Sequence, residues 1–268
     1  MDMPYSVLVD VTRCIGCQGC QVACKNWNDR PSGLTELGDT LAAPPDMDAG
    51  SYTVVKFSEG AGAHGSGWRF TKAQCMHCVE PACAAACPAG ALVKDGAGPV
   101  VYKRSRCIGC RYCMLACPFT IPKFEWDKAI PSVRKCTFCA ERITRGMEPA
   151  CVKSCPAGAL TFGTRDKMLR AAGDRIKARP ADYVDHIYGR DEAGGTSWLY
   201  ISDTDFGRLY LRGGLKPEGY ARYSYGVTGK AGFAAAGVAA LLTGLYFISR
   251  RRQGMDGGDG GGDGEGGA

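Results

Sequence analysis

The chain has 268 residues and a formal net charge of +6, with 45% hydrophobic and 22% charged residues. This length predicts one large or two small domains, and this composition predicts a chain that folds over most of its length. The charge is too small and too dispersed for a nucleic-acid-binding face, so no nucleic-acid partner is expected. The unusual feature is the presence of sixteen cysteines.

The first predicted element is a short strand within Met1–Arg13, whose sequence is MDMPYSVLVDVTR. This segment lacks the apolar core of a secretory signal peptide and contains no twin-arginine signal. We therefore do not expect the disulfide framework of a small secreted protein.

The cysteines form four motifs of four, with none left over. Motifs one and three have the C-x2-C-x2-C-x3-C spacing of bacterial ferredoxins, and motifs two and four are stretched versions that keep a final x3-C-P. Three cysteines at this spacing wrap one cluster, while the fourth lies too far along to reach it. Four motifs therefore predict four [4Fe–4S] clusters. In chain order the motifs are Cys14, Cys17, Cys20 and Cys24; Cys75, Cys78, Cys83 and Cys87; Cys107, Cys110, Cys113 and Cys117; and Cys136, Cys139, Cys151 and Cys155.

Zinc is the competing interpretation of four-cysteine sites. Structural zinc motifs usually pair two C-x2-C elements and do not use triplets with an x3-C-P ending, so the pattern favours iron–sulfur clusters.

Internal repeats indicate a duplicated two-motif unit. The run CIGC occurs at 14–17 and 107–110, and CPAGAL occurs at 87–92 and 155–160. Sequence order allows ligand sharing between motifs one and two, or between one and four with two and three nested inside. The connections from motif two to three and from three to four are both short enough for sharing, so spacing alone does not decide the pairing.

Between and after the motifs, the sequence predicts fewer regular elements. Residues 25–74 form a long insertion with one alternating strand at Tyr52–Phe57. Thr164–Ala178 is typical of an amphipathic helix, with Thr164 as its N-cap. Residues 179–228 show no clear periodicity and are predicted to wrap the surface of the protein or a partner.

A membrane helix is predicted at Ala231–Ile248, which has 18 residues without a charge. At about 1.5 Å per residue it is roughly 27 Å long, close to the hydrocarbon thickness of a bilayer. The Arg250–Arg252 cluster after it predicts a cytoplasmic C-terminus and a periplasmic body at the inner membrane. The Gly- and Asp-rich tail is predicted to be disordered.

No catalytic site is expected. The sequence has neither the G-x-G-x-x-G fingerprint of dinucleotide binding nor a G-x-S-x-G nucleophile elbow. Of the histidines, His77 lies between two cysteines of motif two, where it could tune a cluster by hydrogen bonding. Lys25, Arg111 and Lys135 lie beside cysteines, where positive charge favours the reduced form of a cluster.

The motifs CIGCQGCQVACKNWND (14–29), CMHCVEPACAAACP (75–88), CIGCRYCMLACPF (107–119), KCTFCAERI (135–143) and CVKSCPAGAL (151–160) resemble the four-cluster iron–sulfur subunit of membrane-bound formate dehydrogenases. The segment HIYGRDEAGGTSWLYIS (186–202) and the single C-terminal membrane helix are similar too. The wider family includes iron–sulfur subunits of other molybdopterin enzymes and of quinone-linked [NiFe] hydrogenases.

This resemblance implies an α+β fold of two ferredoxin-like subdomains with long loops. It also implies that motifs one and four share ligands, as do motifs two and three. The implied ligand sets are Cys14, Cys17, Cys20 and Cys155; Cys136, Cys139, Cys151 and Cys24; Cys75, Cys78, Cys83 and Cys117; and Cys107, Cys110, Cys113 and Cys87. The domain division expected is a four-cluster region at 1–163, a helix and partner-wrapping extension at 164–228, a membrane anchor at 229–252 and a tail at 253–268.

The implied partners are a catalytic subunit with molybdenum or tungsten bound to pterin and a membrane cytochrome b that reduces quinone. The chain itself would be a non-catalytic electron carrier, exported with a signal-bearing catalytic subunit. The alternative is the equivalent subunit of a quinone-linked [NiFe] hydrogenase or of another molybdopterin oxidoreductase, and the stretch CKNWND (24–29) favours formate over hydrogen as the donor.

Overall fold

The structure is a computed structural model that describes residues 4–31, 43–60 and 67–256. It divides into a compact unit, Met1–Ser224, and a second unit, Tyr225–Ala268. The strands are β1 (Tyr5–Asp10), β2 (Thr53–Glu59), β3 (Trp68–Gln74), β4 (Leu92–Lys94), β5 (Val100–Tyr102), β6 (Lys123–Phe124), β7 (Val133–Arg134), β8 (Leu160–Thr164) and β9 (Trp198–Ile201). The helices are α1 (Gly19–Trp27), α2 (Ala82–Ala85), α3 (Tyr112–Ala116), α4 (Ala140–Thr144), α5 (Ala150–Lys153), α6 (Arg165–Ala178) and α7 (Ala221–Asp256).

A three-stranded sheet forms the centre of the first unit. Its order is β8-β1-β9, with β1 antiparallel to β8 and parallel to β9. Side chains alternate between the two faces of β1, so Val7 and Val9 pack in one apolar cluster and Leu8 packs in another. Both faces of this sheet are therefore covered.

The helix predicted at Thr164–Ala178 is confirmed as α6, which covers the Leu8 face of the sheet. Met168, Ala172 and Ile176 recur at helical spacing and are buried there. Thr164 occupies the N-cap position, but its side chain makes no capping hydrogen bond.

Strand β9 corrects the expectation that residues 179–228 only wrap the surface. All four residues of Trp198–Ile201 are buried, and the strand pairs in parallel with β1. A strand covered on both faces has an uninterrupted apolar sequence without the alternation of a half-buried strand, so the sequence pattern did not reveal it.

Each cysteine motif begins just after a strand. Strand β3 ends directly before Cys75, and β7 is separated from Cys136 by one residue. A short 3₁₀ turn separates β1 from Cys14, and another separates β5 from Cys107. The duplication detected in the sequence therefore corresponds to a repeated strand-then-loop unit.

The strand predicted in the insertion is confirmed as β2, which forms an antiparallel hairpin with β3. This hairpin belongs to the compact unit and supplies part of the surroundings of the cysteines. The remaining parts of the Gly- and Asp-rich insertion, 32–42 and 61–66, lie outside the described residues.

Helix α7 contains one segment, Gly232–Gln253, that is long and apolar enough to cross a membrane. Its mean hydropathy is 1.7, and none of the segment is buried within the protein. It includes most of the predicted span. The end of the predicted tail, from residue 257 onward, lies outside the described residues.

Candidate iron–sulfur centres

The first C-x2-C loop of each motif shares one backbone feature. The residue before the second cysteine has a positive φ, a conformation that occurs where successive backbone N–H groups form a concavity. Such a concavity suits an anionic group. The four residues are Gly16 (φ 69°), His77 (φ 48°), Gly109 (φ 72°) and Phe138 (φ 56°).

Strand pairing brings the end of one motif to the start of another. Strand β1 leads into motif one and β8 follows motif four, and the Asp10 N–H donates to the Ala159 carbonyl at 2.9 Å. In the same way β4 follows motif two and β5 leads into motif three, with the Lys103 N–H donating to the Ala91 carbonyl at 2.7 Å. This pairing places motif one beside motif four and motif two beside motif three.

We give the names sites A to D to the four ligand sets expected from the sequence, and in each set charge repulsion from other members adds to burial in raising the pKa of at least one thiol. Site A contains Cys14, Cys17, Cys20 and Cys155. Site B contains Cys24, Cys136, Cys139 and Cys151. Site C contains Cys75, Cys78, Cys83 and Cys117. Site D contains Cys87, Cys107, Cys110 and Cys113.

The sites follow one another in a single order, A–B–C–D. Cys20 of site A neighbours Cys151 of site B, and Cys136 of site B neighbours Cys75 of site C. Cys83 of site C in turn neighbours Cys113 of site D.

The two ends of this series reach the surface. Cys17 of site A and Cys110 of site D are the exposed cysteines, whereas all four cysteines of site B are buried. Exposed apolar side chains lie close to both ends in sequence: Ile15 and Val22 near site A, and Ile108 and Leu115 near site D.

The thiols are held in surroundings that oppose their ionisation. Burial raises the pKa of the Cys20, Cys24 and Cys83 thiols to about 12, and neighbouring thiols add to the effect. Burial likewise raises the pKa of Cys113 to about 11. Because thiolate is the form that binds metal, these sites require a positively charged group to stabilise them.

The arrangement suits a group larger than one metal ion. A zinc ion at about 2.3 Å from each of four sulfurs would bring the sulfurs within about 4 Å of one another. Within residues 4–31, 43–60 and 67–256, no three His, Cys, Asp or Glu side chains lie close enough to hold a single ion. All four cysteines of site D line one cavity, together with apolar residues such as Leu92. The residues present therefore fit [4Fe–4S] clusters.

Several N–H groups donate to the cysteine sulfurs. The Ala91 N–H donates to Cys87 Sγ at 3.2 Å, and the Ile121 N–H donates to Cys117 Sγ at 3.5 Å, in each case four residues after a C-P cysteine. Cys24 is followed by Lys25 instead of proline, and there the Asn28 side chain donates to Cys24 Sγ at 3.5 Å. Such bonds help to set the reduction potential of a cluster.

The charged residues singled out in the sequence have different surroundings. Lys135 is buried and donates to the Cys136 carbonyl at 3.1 Å. Arg111 is exposed and lies 4.9 Å from the centre of the Trp126 ring, and Lys25 donates to the Pro31 carbonyl at the surface.

His77 is fully buried, and its Nδ1 accepts from the Val100 N–H at 2.9 Å. Burial, reinforced by nearby lysines, lowers its pKa well below the usual value, so it is neutral and carries its proton on Nε2.

Two positions were missed by sequence reasoning. Asn28 lies four residues after Cys24. At the same distance after Cys87 and Cys117, a backbone N–H donates to the cysteine sulfur. Lys72 is buried on β3 beside sites A and B. The motif spacing would have drawn attention to Asn28, but a lysine in a strand gives no sequence signal of burial.

Comparisons with known proteins agree with this chemistry. Two family models, both described as "4Fe-4S dicluster domain", match residues 13–91 and 66–165. The nitrate-inducible formate dehydrogenase iron–sulfur subunit of Escherichia coli is 39% identical over 244 residues, covering 90% of this chain and 82% of that protein. The chain belongs to the family of formate dehydrogenase iron–sulfur subunits. The dicluster matches confirm the two ferredoxin-like subdomains predicted from the sequence.

Other members of this iron–sulfur subunit family show its breadth. The formate dehydrogenase iron–sulfur subunit of Haemophilus influenzae is 40% identical over 199 residues, covering 72% of this chain and 63% of that protein. The hydrogenase-2 operon protein HybA of Escherichia coli O157:H7 is 33% identical over 236 residues, covering 76% of this chain and 72% of that protein. The formate dehydrogenase relatives are thus the more similar, and the family places this chain among electron-transfer subunits that use [4Fe–4S] clusters.

Proposed function

We propose that this chain carries electrons through four [4Fe–4S] clusters, from a molybdenum- or tungsten-containing formate dehydrogenase subunit to a membrane cytochrome b and quinone. The observation that carries this proposal is the single order of sites A to D, buried in the middle and exposed at both ends. Such an order lets electrons enter at one end and leave at the other.

The sixteen cysteines are the proposed ligands, four for each cluster, in the sets that define sites A to D. Each [4Fe–4S] cluster supplies a centre that takes up and returns one electron at a time. The protein fixes the thiolates, aims N–H groups at the sulfurs and buries all four cysteines of site B. We propose that this chain has no catalytic site of its own and acts as an electron-transfer subunit, as the names of its iron–sulfur subunit relatives suggest.

Metal analysis of the complex tests the electron source. The complex that co-purifies with this chain from detergent-solubilised membranes should contain at least sixteen iron atoms per copy of this chain, because four clusters supply sixteen and the cytochrome b adds haem iron. It should also contain molybdenum or tungsten and reduce quinone with formate. Nickel without either metal would instead identify the hydrogenase alternative, which HybA supports. A colourless chain loaded with zinc would contradict both.

Ligand sharing is tested by cysteine variants compared in pairs. Replacing Cys24 with Ala should remove the same cluster signal in electron paramagnetic resonance (EPR) as replacing Cys136 with Ala, because both belong to site B. Cys155→Ala should match Cys14→Ala, because both belong to site A.

Loss of the same signal in Cys24→Ala and Cys14→Ala would contradict the proposed sharing, because it would mean that each motif holds its own cluster.

The orientation proposed is a periplasmic body with a cytoplasmic C-terminus, exported together with a signal-bearing catalytic subunit. The support is Arg250–Arg252 after the apolar segment, because positive residues flanking a span favour the cytoplasmic side. A C-terminal fusion to a reporter that is active only in the cytoplasm should be active, and a reporter that is active only in the periplasm should be silent. The opposite pattern would place the body in the cytoplasm.

A further inference from the structure

Lys72 is a buried cation beside the cysteines. It lies on β3 with 2% of its surface exposed. Its Nζ donates to Thr53 Oγ1 at 2.7 Å and to Gln74 Oε1 at 3.0 Å, and it lies 4.6 Å from the centre of the Trp198 ring. All three partners are neutral, so none of them balances the charge.

A hydrogen-bond network fixes the position of this ammonium group. The Gln74 Nε2 donates to the Tyr200 hydroxyl at 2.6 Å, and that hydroxyl donates to the Lys72 carbonyl at 2.8 Å. The Gln74 amide is thereby oriented with its oxygen toward Lys72. Thr53 Oγ1 donates to the Ala73 carbonyl at 2.9 Å, which leaves its lone pairs to accept from Lys72.

The cysteines around Lys72 belong to sites A and B, because Trp198, whose ring Lys72 contacts, packs in the same apolar cluster as Cys20 of site A and Cys151 of site B. Burial alone would lower the pKa of Lys72, but the thiolates of Cys20, Cys24, Cys136 and Cys151 outweigh burial and raise it. Among the salt bridges of the described residues, none involves Lys72. A buried ammonium group needs a counter-charge. The thiolate-bound clusters of the two sites supply it.

We propose that Lys72 is a fixed counter-cation shared by sites A and B and that it raises the reduction potential of both clusters. The inference rests on the proposed function. A reduced cluster is more negative than an oxidised one, so a fixed positive charge stabilises the reduced form. When one electron passes from A to B, A is oxidised and B is reduced, and the ammonium group stabilises the electron at either place. Lys72 acts on both potentials through its charge, which its hydrogen bonds to Thr53 and Gln74 hold in place.

Lys94 provides a matched comparison. It is partly buried and donates to the carbonyls of His77 and Gly98 at 3.1 Å and 2.6 Å. Its thiol neighbours are Cys75 and Cys78 of site C. Removing either lysine deletes one partly or fully buried cation, but the two deletions affect different sites.

The test is a redox titration of the purified complex, followed by the EPR signals of the four clusters. Lys72→Met should change the reduction equilibrium of two clusters by at least tenfold. For a one-electron couple, this change lowers the midpoint potential by about 59 mV. Lys94→Met should leave those two potentials unchanged and lower a third. Unchanged potentials in Lys72→Met, or equal shifts in all four clusters, would overturn the inference.

A second variant keeps the test decisive if Lys72→Met fails to assemble. Gln74→Glu has nearly the same size and places a carboxylate beside the Lys72 ammonium, which neutralises its charge without removing the side chain. It should lower the same two potentials. If its potentials match those of the unmodified complex, Lys72 does not set them.

The same experiment separates failure of the inference from failure of the proposed function. An unmodified complex without four cluster signals and with far fewer than sixteen iron atoms per chain would refute the function itself. Four normal signals that do not respond to Lys72→Met or Gln74→Glu would refute only the role of Lys72.

Discussion

Replacing Cys107 with Ala should abolish quinone reduction by formate in the assembled complex, lowering its rate by roughly a hundredfold or more, because site D loses a ligand and the series of carriers has no bypass. Site D lies at one end of the order, so its loss leaves a gap between site C and the next partner. Formate oxidation with a small dye that takes electrons directly from the catalytic subunit should stay near normal. The measurement is the ratio of the two activities in the same preparation.

Ser105→Ala is the matched control, because Ser105 is exposed and precedes Cys107 by two residues in the same connection. It should keep both activities. Quinone reduction that survived in Cys107→Ala after loss of the site D signal would show that electrons do not pass through the sites in series.

Introducing two arginines at the centre of α7, Leu241→Arg with Leu242→Arg, should prevent membrane insertion of the helix. Each arginine at the middle of a span costs about 2.5–3.5 kcal/mol for insertion, and the favourable contribution of each leucine is lost as well. Together these changes amount to about 6 kcal/mol or more, enough to reverse the preference for the bilayer. The chain should move from the carbonate-resistant membrane fraction to the carbonate-extracted or soluble fraction.

The control is Leu241→Phe with Leu242→Phe, which preserves an apolar segment of similar length. That variant should stay in the carbonate-resistant fraction. Carbonate-resistant behaviour in the arginine variant would mean that α7 does not anchor the chain, and high-salt release of the unmodified chain would have the same meaning.

The sequence predicted the chemistry of the candidate site well because cysteine spacing is a local property. Three cysteines two residues apart can surround one cluster whatever the rest of the chain does. The pairing of the sites was not predictable from spacing, since it depends on which strands meet. The antiparallel pairing of β1 with β8 brings the start of motif one close to the end of motif four, although the two motifs are far apart in the sequence. Only the resemblance to known iron–sulfur subunits pointed to that long-range arrangement.

The surroundings of the sites were less predictable than the ligands. Strand β9 has no alternation because both of its faces are buried. Lys72 occupies a strand position where lysine normally reaches solvent, and its burial is a consequence of tertiary contacts with Thr53, Gln74 and Trp198. Amphipathic α6 was predictable because one face meets the sheet and the other meets water.

The residue before the second cysteine of each motif adopts a left-handed backbone conformation. Glycine adopts it without strain at 16 and 109, but His77 and Phe138 adopt it at a cost of about 1–2 kcal/mol each. Both of these side chains are fully buried, and their ring centres lie 5.0 Å apart, where motifs two and four meet. This ring contact joins the two ferredoxin-like halves at the loops that carry the conformational cost. The two halves should therefore fold and unfold as one cooperative unit.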